Sequence, residues 1–266
     1  NSFMSDEMKP IEEAPGHPEI LRVMADNPGP MTLSGTNTYL YGEDPCWVLD
    51  PGPEDEAHVE AVRAESRGRG GIGGVLVSHS HNDHTGAVDL LGIEPVAIDA
   101  GLVYGGLEAV STPGHATDHF CFFTGDGVCF SGDLILGWGS TYVPPDGGSL
   151  AAYMDSLRLI RDREPILICP GHGPWITDPA AKVNEYIEHR ENRENGLIVA
   201  LDRGERSRMA LLDEVWSDAH ELLRPAAAVV LEAHLQKLGN EGRLPADLGG
   251  DQQDADDRHA RGTSRE

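Results

Sequence analysis

The chain has 266 residues, enough for one large domain with a substantial core and a smaller appendage. Its formal net charge of −25 argues against a protein whose main task is gripping a phosphate backbone, which needs a basic surface. No stretch approaches the roughly 20 apolar residues of a membrane span, and Asn1 to Ala14 lacks a signal-peptide pattern, so a cytoplasmic protein off the membrane is the expectation.

Residues 1 to 20 read as an irregular lead-in, because Pro10, Pro15 and Pro18 block a helix. Leu21–Met24 then reads as a first strand, followed by the turn Asn27-Pro28-Gly29-Pro30. Thr36 to Tyr41 alternates polar and apolar residues, as an exposed-face strand does. A turn at Gly42 to Pro45 returns the chain through Cys46-Trp47-Val48-Leu49, which ends at Asp50. Glu54 to Glu65 suits a helix with acidic residues in its first turn.

The apolar run Gly74-Val75-Leu76-Val77 leads directly into Ser78-His79-Ser80-His81-Asn82-Asp83-His84. Three histidines and an aspartate thus fall within six residues at a strand end. Alternation along an extended chain puts His79 and His81 on one side, and the next turn aims Asp83 and His84 at a neighbouring point. Imidazole and carboxylate suit zinc, and iron or manganese less exclusively. Thr85 to Leu91 predicts a helix behind this cluster, and Val96–Ile98 and Leu107–Val110 predict strands. Phe120–Phe123 and Val128–Phe130 predict a hairpin across Gly125-Asp126-Gly127. Leu150 to Arg163 is amphipathic, and Ile166–Cys169 is the next strand.

Three later segments each set a ligand type at the end of an apolar run, beside glycine or proline that forces a turn. They are Thr112-Pro113-Gly114-His115, Ser131-Gly132-Asp133 and Pro170-Gly171-His172-Gly173-Pro174. The four cysteines (Cys46, Cys121, Cys129, Cys169) form no C-x-x-C pair and read as reduced, buried strand residues. From Pro179 onward three helical patterns follow: Ala180–Ala200, Arg208–Trp216 and Ala226–Leu238. A turn at Gly239 to Gly242 closes them. They suggest a helical cap over residues 179–248, with a winged-helix-like unit as the alternative. The polar tail 249–266 is expected to be disordered.

Taken together and in order, these motifs resemble the metallo-β-lactamase superfamily. Asn27-Pro28-Gly29-Pro30, Thr36-Asn37-Thr38-Tyr39-Leu40 and Thr112 to His119 narrow the likeness to its lactamase-B-like protein 2 branch, over about residues 20–245. The resemblance implies an α/β, four-layer αββα sandwich over residues 21–178. It implies a dinuclear centre, with His79, His81 and His115 on one ion. Asp83, His84 and His172 would hold the other, and Asp133 would bridge them. Two zinc ions sharing a hydroxide would make water nucleophilic near neutrality and polarise a carbonyl or phosphoryl oxygen. Asp83 takes the general-base role in this reading. Asp50 supports a ligand from behind or caps the Pro51-Gly52 turn, and His119 faces the cleft, supports a ligand from behind as a donor, or is structural. One departure from the family is the short run from His84 to His115, where Leu90–Gly106 lacks a strand or excursion.

The resemblance implies a hydrolase of an ester, thioester or related carbonyl compound, small or carrier-bound. A single-strand endoribonuclease is the alternative, with RNA as partner. A non-catalytic metal-binding protein would require lost ligands, and none is lost.

Overall fold

The computed structural model of the chain describes residues 8–250. Two five-stranded sheets form its centre. The first runs in sequence order through β1 (Ile11–Ala14), β2 (His17–Met24), β3 (Asn37–Tyr41), β4 (Cys46–Leu49) and β5 (Ile72–Leu76). Its strands are antiparallel except for the β4–β5 pair, which is parallel and is joined through helix α1 (Glu56–Arg67). Asp55 caps α1, its carboxylate accepting from the backbone N–H of Ala57 and His58. Short helical turns α2 (Asn82–Thr85) and α3 (Val88–Leu91) follow β5.

The second sheet contains β6 (Val103–Tyr104), β7 (Leu107–Ser111), β8 (Phe120–Thr124), β9 (Val128–Gly132) and β10 (Leu167–Pro170). They lie side by side in the order β10-β9-β8-β7-β6. Here too the chain pairs antiparallel until helix α4 (Leu150–Asp162) carries it over to the parallel pair β9–β10.

Alternation along the strands sorts the apolar residues into layers. In the first sheet Tyr39, Leu49 and Leu76 turn inward to meet Leu107, Phe122, Phe130 and Cys169 of the second. Their immediate neighbours Leu40, Val48 and Val75 turn outward against Val59 and Val62 of α1 and Leu91 of α3. On the second sheet Arg163, capping α4, pairs with Glu108 of β7 and lies over the ring of Phe123 on β8. Helix, sheet, sheet, helix is the four-layer α/β arrangement expected from the sequence.

Several expectations need correction. Residues 11–20 are not an irregular lead-in but a hairpin: Pro15-Gly16 form its turn, with Gly16 at φ 80°, and β2 starts at His17 rather than Leu21. The prolines that block a helix here sit before, between and near the start of the strands, where they take no ladder bond away. Val96–Ile98 is not a strand. Val96 donates one backbone bond to Val75, and the half-buried Val96 and Ile98 pack against the inter-sheet core. The short Leu90–Gly106 stretch thus leaves only the two-residue β6 as that sheet's edge.

Arg22 on β2 is fully buried. It pairs with Glu12 of β1 at 2.7 Å and lies 4.7 Å from the centre of the Trp175 ring, whose Nε1 donates to the same Glu12 carboxylate. A buried guanidinium is tolerable because carboxylate and ring face share its charge.

The chain divides into two compact units, Asn1–Glu188 and His189–Glu266, with the boundary inside helix α5 (Pro179–Asp202) rather than at its start. The second unit contains α6 (Arg208–Val215) and α7 (Arg224–Asn240), with a core that includes Leu197, Leu211, Leu231 and Leu235. No strand occurs among its described residues, so the helical reading holds there and the wing does not. A 3-10 turn at Ala246–Gly250 reaches the first two positions of the expected tail, and residues 251–266 lie outside the described residues. No helix among the described residues is long and apolar enough to cross a membrane.

Phe122 is 1% exposed between the sheets. Phe122→Ala is expected to cost about 3–5 kcal/mol by leaving a cavity, measured by chemical denaturation.

Candidate metal centre

Strands β4, β5, β7, β9 and β10 all end at one edge of the sandwich. The residues that follow carry Asp50, the His79–His84 cluster, His115, Asp133 and His172 in turn. The parallel pairings place these ends together: Asp50 donates its backbone N–H to Leu76, and Gly171 donates its own to Gly132.

Three overlapping groups of donors result, one of them His79, His84 and Asp133, which spans the other two. His79, His81 and His115 form one of those two, and Asp83, His84 and His172 the other; in each, the ligand atoms lie within 4.8 Å of one another. Asp133 faces both. Its Oδ1 lies 3.4 Å from His84 Nε2 and 3.3 Å from His172 Nε2, while Oδ2 lies 3.6 Å from His115 Nε2. All seven residues named from the sequence are therefore brought to one point. Gly171 permits this approach: a Cβ there would lie 2.6 Å from Asp133 Oδ1.

The hydrogen bonds behind the rings decide which nitrogen is free. His84 Nδ1 donates to Asp50 Oδ2 at 2.9 Å, His115 Nδ1 to the Tyr142 carbonyl at 2.6 Å, and His172 Nδ1 to the Gly35 carbonyl at 3.2 Å. Ser78 Oγ donates to Asp50 and so accepts from His79 Nδ1 at 3.0 Å. In its neutral form each of these rings presents Nε2 inward as an acceptor. The inward atoms crowd together: His81 Nδ1 lies 2.9 Å from His79 Nε2 and 3.0 Å from His115 Nε2. The buried His84 Nε2, His172 Nε2 and Asp133 Oδ1 have no hydrogen-bond partner. Converging ring nitrogens and carboxylate oxygens fit a cation, and the imidazole–carboxylate mix fits zinc, iron or manganese.

Protons and cations compete for this place. Burial opposes charge on His172, yet Asp133 outweighs it and raises the ring to about 9. His84 is likewise raised against burial by Asp133 and Asp50. Burial pushes Asp133 up, but His172 and His84 hold it well below the usual carboxylate range. His79 and His81 go down, through burial and their neighbouring imidazoles.

Asp50 is at φ 51°, in the left-handed region that few side chains occupy. Its Oδ1 takes the Ser78 backbone N–H at 2.6 Å and Oδ2 takes Ser78 Oγ and His84. Between the two roles considered for it, the ligand-supporting one matches these contacts. His119 does not open into the cleft. The Asp133 backbone N–H donates to its Nε2 at 3.1 Å, so Nδ1 carries the proton and donates to Thr112 Oγ1 at 2.9 Å. Burial and His115 push His119 down to about 3, consistent with a neutral ring that orients the Asp133 turn. Sequence reasoning passed over Ser78 and Thr112. Both lie inside the quoted motifs, and their small hydroxyls gave no separate signal.

The family model described as the metallo-beta-lactamase superfamily matches residues 31–97 and 101–172. The chain belongs to this superfamily. The Beta-lactamase-like protein 2 homolog of Drosophila melanogaster is 32% identical, over 88% of this chain and 92% of its own length. The Caenorhabditis elegans homolog is 33% identical, over 88% of each. An Atrochrysone carboxyl ACP thioesterase of Aspergillus fumigatus is 33% identical, over 87% of this chain and 76% of its own. Among solved structures, a beta-lactamase domain protein from Burkholderia ambifaria superposes with a TM-score of 0.74 at 19% identity, covering 90% of this chain and 92% of that one. A metallo-beta-lactamase family protein from Thermus thermophilus gives 0.70 at 20%, covering 86% and 95%. These two establish shared fold. Membership and the donor set make the chain a metal-dependent hydrolase.

Asp50→Ala is expected to weaken zinc affinity roughly 10- to 100-fold, read by competition with a chromogenic chelator. His119→Ala should weaken it too, while His119→Gln, which keeps an acceptor for the Asp133 N–H, should recover most of the loss.

Proposed function

We propose that the chain hydrolyses an ester or thioester, small or carrier-bound, using two divalent cations. The observation that carries this reading is the pair of donor trios joined by the two oxygens of Asp133. His79, His81 and His115 would hold one cation; Asp83, His84 and His172 the other; Asp133 would touch both. Zinc is the first choice for this set, with iron or manganese as alternatives. When bound, such a pair supplies Lewis acidity that polarises an acyl oxygen and acidifies water.

The remaining chemistry belongs to the side chains. Asp83 is the more open of the two carboxylates, 29% exposed against 11% for Asp133. It would take a proton from water and pass it to solvent, which is the general-base role. Asp133, buried and held by its backbone, keeps its place through turnover. His84 and His172 are locked from behind, so neither can swing away to shuttle protons. The thioester preference is supported by the Aspergillus fumigatus relative, whose name states that activity.

With metal-loaded protein and a panel of acyl thioesters, the expected result is hydrolysis that His81→Ala lowers at least about 100-fold. Elemental analysis should find metal lost from His81→Ala and at least one ion fewer in Asp133→Ala. Unchanged metal content in both would overturn the assignment.

A further inference from the structure

From Gly70 to Leu157, and again from Glu164 to Ala181, the chain contains no lysine or arginine. Neither do Ala25–Thr36 and Asp50–Asp55. These spans include every loop at the strand ends that carry the metal centre. Several cations of the first unit are engaged elsewhere. Arg69 binds the carbonyls of Pro18, Glu19 and Gly42, at the opposite ends of β2 and β3. Arg163 pairs with Glu108, and Arg63 bonds the Leu90 carbonyl. Arg22 is buried.

Four exposed acids occupy the loops instead. Asp118 accepts the Ser80 backbone N–H, between His79 and His81. Asp26 follows Ala25, whose carbonyl presses against Gly35, the residue bonded to His172. Asp146 precedes Gly148, which packs on the Gly114 carbonyl beside His115. Glu54 has its backbone against Gly86, two residues after His84. Acid thus stands beside each ligand-bearing loop of the first trio and of His84 and His172.

We propose that this face selects acyl substrates with an uncharged leaving group and turns away polyanionic ones. The inference rests on the hydrolase reading above. Two divalent cations would bring four positive charges, of which Asp83 and Asp133 offset two, so attraction for oxygen is concentrated at the reacting atoms. Within roughly 10 Å of the loops, the screening length at 0.1 M salt, and further out at lower salt, the exposed acids add negative potential around the rim of the site. A single acyl oxygen is drawn in, while a string of phosphates is repelled before it arrives. In the reaction, the oxygen of water bonds the acyl carbon and the carbon–sulfur bond breaks. The products are a carboxylic acid and a neutral thiol.

The test compares one acyl group on two thiols with the metal-loaded enzyme: neutral N-acetylcysteamine and polyanionic coenzyme A. At about 20 mM KCl, kcat/KM is expected to favour the neutral thioester by about tenfold or more, the gap narrowing towards about 500 mM. Taking the ratio at each salt level cancels any effect of salt on the protein's stability. Asp26→Lys and Asp146→Lys should raise kcat/KM for the coenzyme A thioester and leave the neutral one unchanged. A coenzyme A thioester hydrolysed as fast or faster at low salt would overturn the inference. So would tight, salt-sensitive binding of a fluorescent single-stranded RNA by anisotropy. Hydrolysis of neither thioester would instead count against the hydrolase reading, and the RNA measurement would then decide the question of polyanions.

Discussion

Each histidine of the centre with a fixed tautomer is gripped from its outer side. Ser78 holds His79, Asp50 holds His84, the Tyr142 carbonyl holds His115 and the Gly35 carbonyl holds His172. Those outer bonds make ring nitrogens face one another across a buried space, an arrangement no protein would keep for stability alone. The rest of the fold follows from the need to maintain it. Parallel pairs β4–β5 and β9–β10 bring strand ends level, helices α1 and α4 make those pairings possible, and glycines at 132 and 171 let the turns close.

Much of this was legible in the chain itself. Glycine and proline beside a ligand type, placed after an apolar run, mark a strand end, and four such ends in order specify a shared edge. The seven donors were named because their chemistry is concentrated in short motifs. What stayed hidden was hidden for physical reasons. The β1–β2 hairpin was missed because proline signals the absence of helix more strongly than it signals a strand boundary. Val96–Ile98 has strand-like residues, yet a single backbone bond, from Val96 to Val75 on edge strand β5, is too little to make it a strand. The carbonyls of Gly35 and Tyr142 are backbone groups, identical at every position, so no residue type could announce them. The boundary within α5 was also beyond reach, since a continuous helix carries no break in its pattern.

Net charge and local charge tell different stories here. The −25 total excludes little about any single face. The absence of lysine and arginine from Gly70 to Leu157 is more informative, because that span builds most of the loops beside the metal centre. Composition becomes an argument about substrates only once the fold says which residues share an edge.

The brace of Glu12, Arg22 and Trp175 ties the first strand to the loop that carries His172. Glu12 accepts from both partners, so β1 is mechanically continuous with the turn of His172, more than a hundred residues downstream. Fraying of this strand would therefore be felt at the turn that carries His172.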